Sequence, residues 1–321
     1  MWQGWMAGVA ARRTSKGDIA MRVRSICGIA VALLLVAVAG PAFAQGGGGD
    51  TNEEVKKAVE RAVGSSISSS VAESLSRSIV SEGVRATPTS TLFGSPFYNR
   101  TEGDFDFGSF KSDTGGLVVG GLFKLHDILL LHGALSLAGT STKTEALGTT
   151  TKISSIFFES RLGADVIFLN TEPVKGWLTL EGGFSNFNTN VSDDIWSWRA
   201  GPSATLSVRA GPILIEPTVG FAFSNTFHDD DAETITSMQA GFSLKYRGEK
   251  FRPQLNFVYA KVIGPSTISR QDDGFISVGP EILYAITPSI LIGGAYSYGT
   301  SLNSGVDINS HTVTLEFRWI F

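Results

Sequence analysis

Few residues of this 321-residue chain could do chemistry. It has four histidines and a single cysteine. The nearest approach to a hydrolytic pair is Ser136 with His132, because an activated serine needs a histidine within hydrogen-bond reach and a third group to orient the ring. Both fall on one strand with the same parity, where four residues separate them by about 13 Å. That distance excludes direct proton transfer. His126 falls in a turn, His228 in an acidic loop and His311 at the start of the last strand, none in a recognisable dyad. Three acidic groups, Asp193-Asp194, Asp229-Asp230-Asp231 with Glu233, and Asp272-Asp273, could offer oxygens to Ca²⁺, which takes six to eight. They lack the spacing of an EF-hand loop, and solvated loop charge accounts for them. No glycine-rich loop joins a strand to a helix, so nucleotide binding has no support. The residues thus point to no catalytic group, cofactor or metal site. A barrel hydrolase using His132 or His228 is the remote alternative.

The elements explain why chemistry is scarce. Residues 21–44 read as a secretory signal peptide: a basic start at Arg22 and Arg24, an apolar run from Ile26 to Ala39, and Ala42-Phe43-Ala44 as a small-x-small site cleaved after Ala44. The apolar run is short for a bilayer of about 30 Å, and Met1 and Met21 are both candidate starts. Removing residues 1–44 takes away five of the 26 basic and one of the 30 acidic residues, which leaves a net charge of −8. It also takes away Cys27, so the remaining chain can form no disulfide or thiolate site. Such an acidic chain is not a general nucleic-acid binder.

Residues 45–103 form a second region, a glycine-rich start followed by a helical pattern from Asp50 to Glu82. Asp50 or Thr51 can cap it, and Glu53 and Glu54 suit its first turn. Apolar residues recur every fourth position at Val55, Val59, Val63, Ile67, Val71, Leu75 and Ile79. Against a period of 3.6 this stripe spirals, which suits a helix surrounded by a tube, although a solvated linker is the competing reading. Gly83 and Pro88 are expected to end the helix.

From 104 to 321 the period becomes two. In the last strand Val313, Leu315, Phe317, Trp319 and Phe321 alternate with Thr312, Thr314, Glu316 and Arg318. One face is apolar and the other polar. Twelve strands are expected, the first two at 104–110 and 115–124. Tight turns fall near 125–127, 170–173, 210–211, 248–250 and 287–289, and polar loops at 140–151, 187–194, 226–233, 263–273 and 300–309. Short turns alternating with longer loops, and an even strand count, are the pattern of a transmembrane β-barrel. In lipid an open edge cannot be satisfied, so the sheet must close. Pro202, Pro217 and Pro280 imply ladder gaps or bulges.

Strand parity sends Glu159, Arg161, Asp165, Glu181, Arg199, Arg209, Glu216, Lys245, Arg247, Arg252, Glu281, Glu316 and Arg318 into the lumen. Their signs are mixed, which favours cross-strand ion pairs over a selectivity ring. The fold class is therefore an all-β closed antiparallel barrel, preceded by a helical lumen plug or linker. Its place is the outer membrane of a Gram-negative bacterium, among outer-membrane lipid and lipopolysaccharide, as a monomer.

The terminal phenylalanine with apolar residues at every second position back to Val313 resembles the strand signal read by the barrel assembly machinery. Together with a helical lead and twelve strands, the layout over residues 50–321 resembles the autotransporter β-domain, the translocator of type V secretion. The resemblance implies a helix threading the lumen and delivery by the export machinery and periplasmic chaperones. It also implies a surface passenger, but almost nothing lies between Gln45 and the helix, so no passenger is expected. The paired asparagines cut in some members are missing too, only Asn52 being present, and self-cleavage is not expected. A narrow porin-like channel is the alternative.

Overall fold

The computed structural model describes residues 71–321 except 72, 76, 86–89, 106–107, 147–148, 190–194, 229–230, 264–273 and 303–305. The leader with Ala42, Ala44 and Cys27, the helical pattern before residue 71, and Asp193, Asp194, Asp229, Asp230, Asp272 and Asp273 lie outside the described residues. A helix, α1, is formed by the described residues between 71 and 85 and is followed by twelve strands. These are β1 Thr91–Phe105, β2 Gly108–His126, β3 Leu129–Ala146, β4 Thr149–Asn170, β5 Val174–Thr189 and β6 Ile195–Ala210. The second half comprises β7 Ile213–His228, β8 Asp231–Tyr246, β9 Phe251–Val262, β10 Gly274–Thr287, β11 Ile290–Ser301 and β12 Val306–Ile320.

Each strand pairs antiparallel with its sequence neighbours, and β1 pairs with β12 from Thr91↔Ile320 to Phe105↔Val306, so the sheet closes. Backbone bonds between Ser90 and Phe321 extend this seam. An even strand count brings the start of β1 and the end of β12 to one rim. That rim also carries the turns at 127–128, 171–173, 211–212, 247–250 and 288–289. We call it the inner rim, since short turns mark the periplasmic end of such barrels. Gly211 has φ of 61°, which the first central residue of a two-residue II′ hairpin requires.

The closed twelve-stranded barrel is the expected class, but its strands differ from expectation in two ways. The residues read as a first strand at 104–110 hold the β1–β2 connection, and the true first strand begins at Thr91, inside the segment read as linker. Apolar residues on both of its faces hid it: Phe93 and Phe97 are buried inside, Leu92 and Tyr98 exposed outside. The polar stretches at 140–151, 226–233 and 300–309 are also largely strand. There the wall has left the hydrocarbon, so polar side chains face both ways and the alternation fades.

The prolines leave gaps in the ladder on one side only. Pairing skips Pro96 against β12, Pro202 and Pro217 between β6 and β7, and Pro280 against β11. Pro280 still faces Leu255 of β9, and Pro202 faces Leu180 of β5. A missing N–H is thus absorbed without opening the barrel.

The outward face carries the apolar belt. Leu117, Leu137, Ile156, Leu162, Phe242, Leu255, Ile282 and Phe317 are all exposed, with Trp196 and Trp198 nearer the outer rim, and Tyr246, Phe251, Trp319 and Phe321 at the inner one. On β4 the belt runs from Ile156 to Phe168, about 30 Å along the barrel axis after strand tilt. That matches the hydrocarbon thickness. The described helical residues include no span long and apolar enough to cross a membrane; the strands do the crossing.

Leu162 lies midway in this belt and is 75% exposed. Leu162→Arg is expected to destabilise the barrel by about 2–4 kcal/mol in lipid vesicles. Ser154→Arg, beyond the belt on the same face, should cost under about 1 kcal/mol. Equilibrium urea unfolding checks both.

Candidate functional site

The candidate site is the inner part of the lumen, where α1 meets the wall. Helix residues Val71, Leu75, Ile79, Val80 and Val84 form one buried cluster with Phe93, Phe97, Val118, Leu122, Leu130, Ala134, Phe157, Ile167 and Trp177 of β1–β5. Val71, Leu75 and Ile79 continue the spiral stripe read from the sequence, and they bury it against the wall rather than against a flat core. Gly83, expected to end the helix, instead lies within it. A Cβ there would collide with the Leu122 side chain and press on Leu130 at 3.1 Å. Glycine costs a helix interior about 1 kcal/mol relative to alanine. Here that cost permits close approach to β2 and β3.

The polar face of α1 meets charge. Near the inner rim, the Arg318 guanidinium donates to Glu82 Oε2 at 3.0 Å, to Ser78 Oγ at 3.0 Å, to Glu281 Oε1 at 3.1 Å and to Glu316. Glu82 also accepts from Arg247 at 3.2 Å and lies 3.8 Å from Arg252. Ser81 donates to both oxygens of Glu216, at 2.6 and 2.7 Å. Glu216 further accepts from Ser207 at 2.6 Å and pairs with Lys245 at 2.8 Å.

The C-terminal turn of α1 is fastened at the same rim. Lys175 Nζ donates to the Val84 carbonyl at 3.2 Å, and Arg85 donates to Ser207 Oγ at 2.7 Å and to its carbonyl at 2.5 Å. Cations at a helix C-terminus satisfy orphan carbonyls and oppose the dipole.

Farther from the rim a second cluster forms on β3–β6. Glu73 pairs with Arg77, with Arg199 at 3.2 Å and with Arg161 at 4.0 Å. Arg161 is also bonded to Glu159 at 2.8 Å and to Glu181 at 3.2 Å. His132 lies between Asp165, 2.8 Å from Nδ1, and Glu181, 3.2 Å from Nε2, while Thr179 donates to Asp165 at 2.6 Å. Both ring nitrogens are thus engaged by carboxylates. Ser136 is buried in the same wall and makes no bond to His132.

The structure therefore brings Glu159, Arg161, Asp165, Glu181 and Arg199 into one cluster and Glu216, Lys245, Arg247, Arg252, Glu281, Glu316 and Arg318 into contact around the helix. Arg209 is the exception. It sits exposed at the end of β6, where its side chain donates to the Gly211 carbonyl at 3.2 Å. Its height puts it at the rim, in water. The helix partners Glu73, Arg77, Ser78, Ser81, Glu82 and Arg85 were not singled out from the sequence, although the Glu73–Arg77 spacing of four was a readable signal. The terminal-strand residues Val313, Leu315, Phe317, Trp319 and Phe321 are all exposed on the lipid face. His311 is also outside, accepting or donating at 2.7 Å with the Tyr296 hydroxyl. No cluster of metal-ligating side chains occurs among the described residues.

Arg318→Ala would leave Glu281 and Glu316 without their paired cation in a buried site and remove one of the cations around Glu82. The expected loss is about 3–5 kcal/mol, against under about 0.5 kcal/mol for Arg209→Ala at the exposed rim. Denaturant unfolding of the two variants side by side checks the contrast.

No family model matches the sequence, and no characterised protein matches it in sequence. Solved structures do match in shape. The translocator domain of the autotransporter NalP from Neisseria meningitidis is 11% identical with a TM-score of 0.47, over 78% of this chain and 97% of that one. The transport unit of the autotransporter AIDA-I from Escherichia coli is 12% identical with a TM-score of 0.49, over 74% and 91%. The COG4313 outer membrane channel from Pseudomonas putida F1 is 12% identical with a TM-score of 0.53, over 74% and 97%. At such identities the likeness is one of fold. With the lipid-facing belt, the likeness to the Pseudomonas putida channel gives this chain the fold of an outer-membrane β-barrel.

Proposed function

We propose that the protein is a translocator-type anchor whose own helix plugs the inner lumen, and that the barrel can carry the short segment preceding α1 towards the cell surface. The observation that carries this reading is the direction of the helix. Arg85 and Val84 are held at the inner rim by Ser207 and Lys175, while Glu73 stands farther up, beside Arg161 and Arg199. The N-terminal end of the described helix therefore faces the outer mouth. A type V secretion role, delivery through the export machinery and periplasmic chaperones, and assembly through the terminal strand all belong to this proposal. The reading is non-enzymatic. His132 supports that view, since two carboxylates occupy its ring nitrogens and leave neither to accept a serine proton.

A diffusion channel is the second reading, favoured by the fold likeness to the Pseudomonas putida channel. Planar-bilayer conductance separates the two. The full protein should stay closed, and removal of residues 50–82 should open it, because the charged clusters would then face water. Equal conductance with and without the helix contradicts the plug. Hydrolytic activity lost on His132→Ala would contradict the non-enzymatic reading.

A further inference from the structure

On the outward face, three lysines stand in a row at the outer end of β2–β4. Lys111 of β2 stands opposite Lys143 of β3, which stands opposite Lys152 of β4. All three are exposed. Like charges directly opposite on neighbouring strands are destabilising. Glu102 flanks the row 3.1 Å from Lys111, and Glu145 pairs with Lys143. Lys152 has no ion pair among the described residues. Exposed pairs of this kind contribute about 0–1 kcal/mol and are easily exchanged, so an anion of higher charge density can take their place.

Four residues nearer the membrane the same three strands form a depression. Gly115 pairs with Gly139, and a Cβ built on either meets nothing within 4 Å. Tyr98 pairs with Gly115 on one side and Ile156 pairs with Gly139 on the other; both are exposed. Ile156 is where the apolar belt of β4 ends. The lysine row lies about 13 Å farther along the strands, or about 10 Å along the axis after tilt. An acyl chain beside the glycines would therefore place a headgroup phosphate within reach of the ammonium groups.

We infer that the outward face of β2–β4 binds a phosphorylated glycolipid of the outer leaflet. Its acyl chain lies over Gly115 and Gly139 between Tyr98 and Ile156, and its phosphate bridges Lys111, Lys143 and Lys152. Charge complementarity selects the phosphate, and the distance from belt to lysine row selects a lipid over a soluble anion. The site is independent of the lumen and of the plug.

The test uses the full chain refolded in detergent, with binding read by native mass spectrometry and titration. The probes are diphosphoryl lipid A, the same lipid without phosphates, and glucosamine phosphate. Combining Lys111→Gln, Lys143→Gln and Lys152→Gln should raise the Kd for diphosphoryl lipid A at least tenfold and leave the dephosphorylated lipid within twofold. Gly139→Leu, which fills the depression, should weaken both lipids. Lys250→Gln at the inner rim should change neither. Unchanged affinity in the triple variant, an equal loss with Lys250→Gln, or glucosamine phosphate binding as tightly as lipid A would overturn the inference. Heat-modifiable migration verifies that each variant is folded.

Discussion

A charge removed from water must be matched by another, and this constraint organises the lumen. Arg318 has no solvent exposure, and its guanidinium is surrounded by Glu82, Ser78, Glu281 and Glu316. Two of those four partners come from α1. Glu216 likewise needs Ser81 of the helix as well as Ser207 and Lys245 of the wall. The wall thus carries charges whose complement is completed by an element outside the sheet. Breaking one partner of such a buried set costs far more than an exposed ion pair is worth. Apolar packing on β1–β5 fixes the helix sideways, while the ion pairs fix its height and rotation.

The same division relates the lumen to the belt. Lipid requires closure, and closure in turn encloses the polar face of every strand. An empty lumen of this lining would be wet. With α1 seated, Gly83 lets the helix approach Leu122 and Leu130, and the inner part becomes a packed core with two charge clusters set in it. β12 belongs to both systems, since Phe317 and Trp319 face lipid while Glu316 and Arg318 face the helix. A single strand therefore closes the barrel against β1 and locks the helix beneath it.

How much of this could be read from the sequence depended on what each face met. Strands with lipid on one side and the lumen on the other, such as residues 313–321, alternate cleanly and were legible. The outer parts of β3 and β4 carry Ser141, Thr142, Lys143 and Lys152 because water lies beyond the belt and polar groups line the lumen, so no period distinguishes strand from loop. β1 was hidden by the opposite condition, since Phe93 and Phe97 pack inwards on the helix while Leu92 and Tyr98 face outwards. Parity carries no height, which is why Arg209 was grouped with a network it does not join. The pairing of Arg318 with Glu82, 236 positions apart, follows only from closure and was not legible at all.

The central claim is that α1 occupies the inner lumen of the membrane-inserted barrel. It is tested most directly by a cysteine pair at Ser81 and Glu216, whose side-chain oxygens meet at 2.6 Å, bridged by a short bifunctional thiol reagent that spans the space the longer Glu216 side chain fills, in a chain whose single cysteine is removed by Cys27→Ser. The reagent, applied to intact outer membranes, should join the two positions and shift the mobility of the unfolded protein, as it should for a control pair at Ser112 and Thr142, which meet across β2 and β3 at 2.9 Å. Efficient joining of the control with none between positions 81 and 216 would contradict the account.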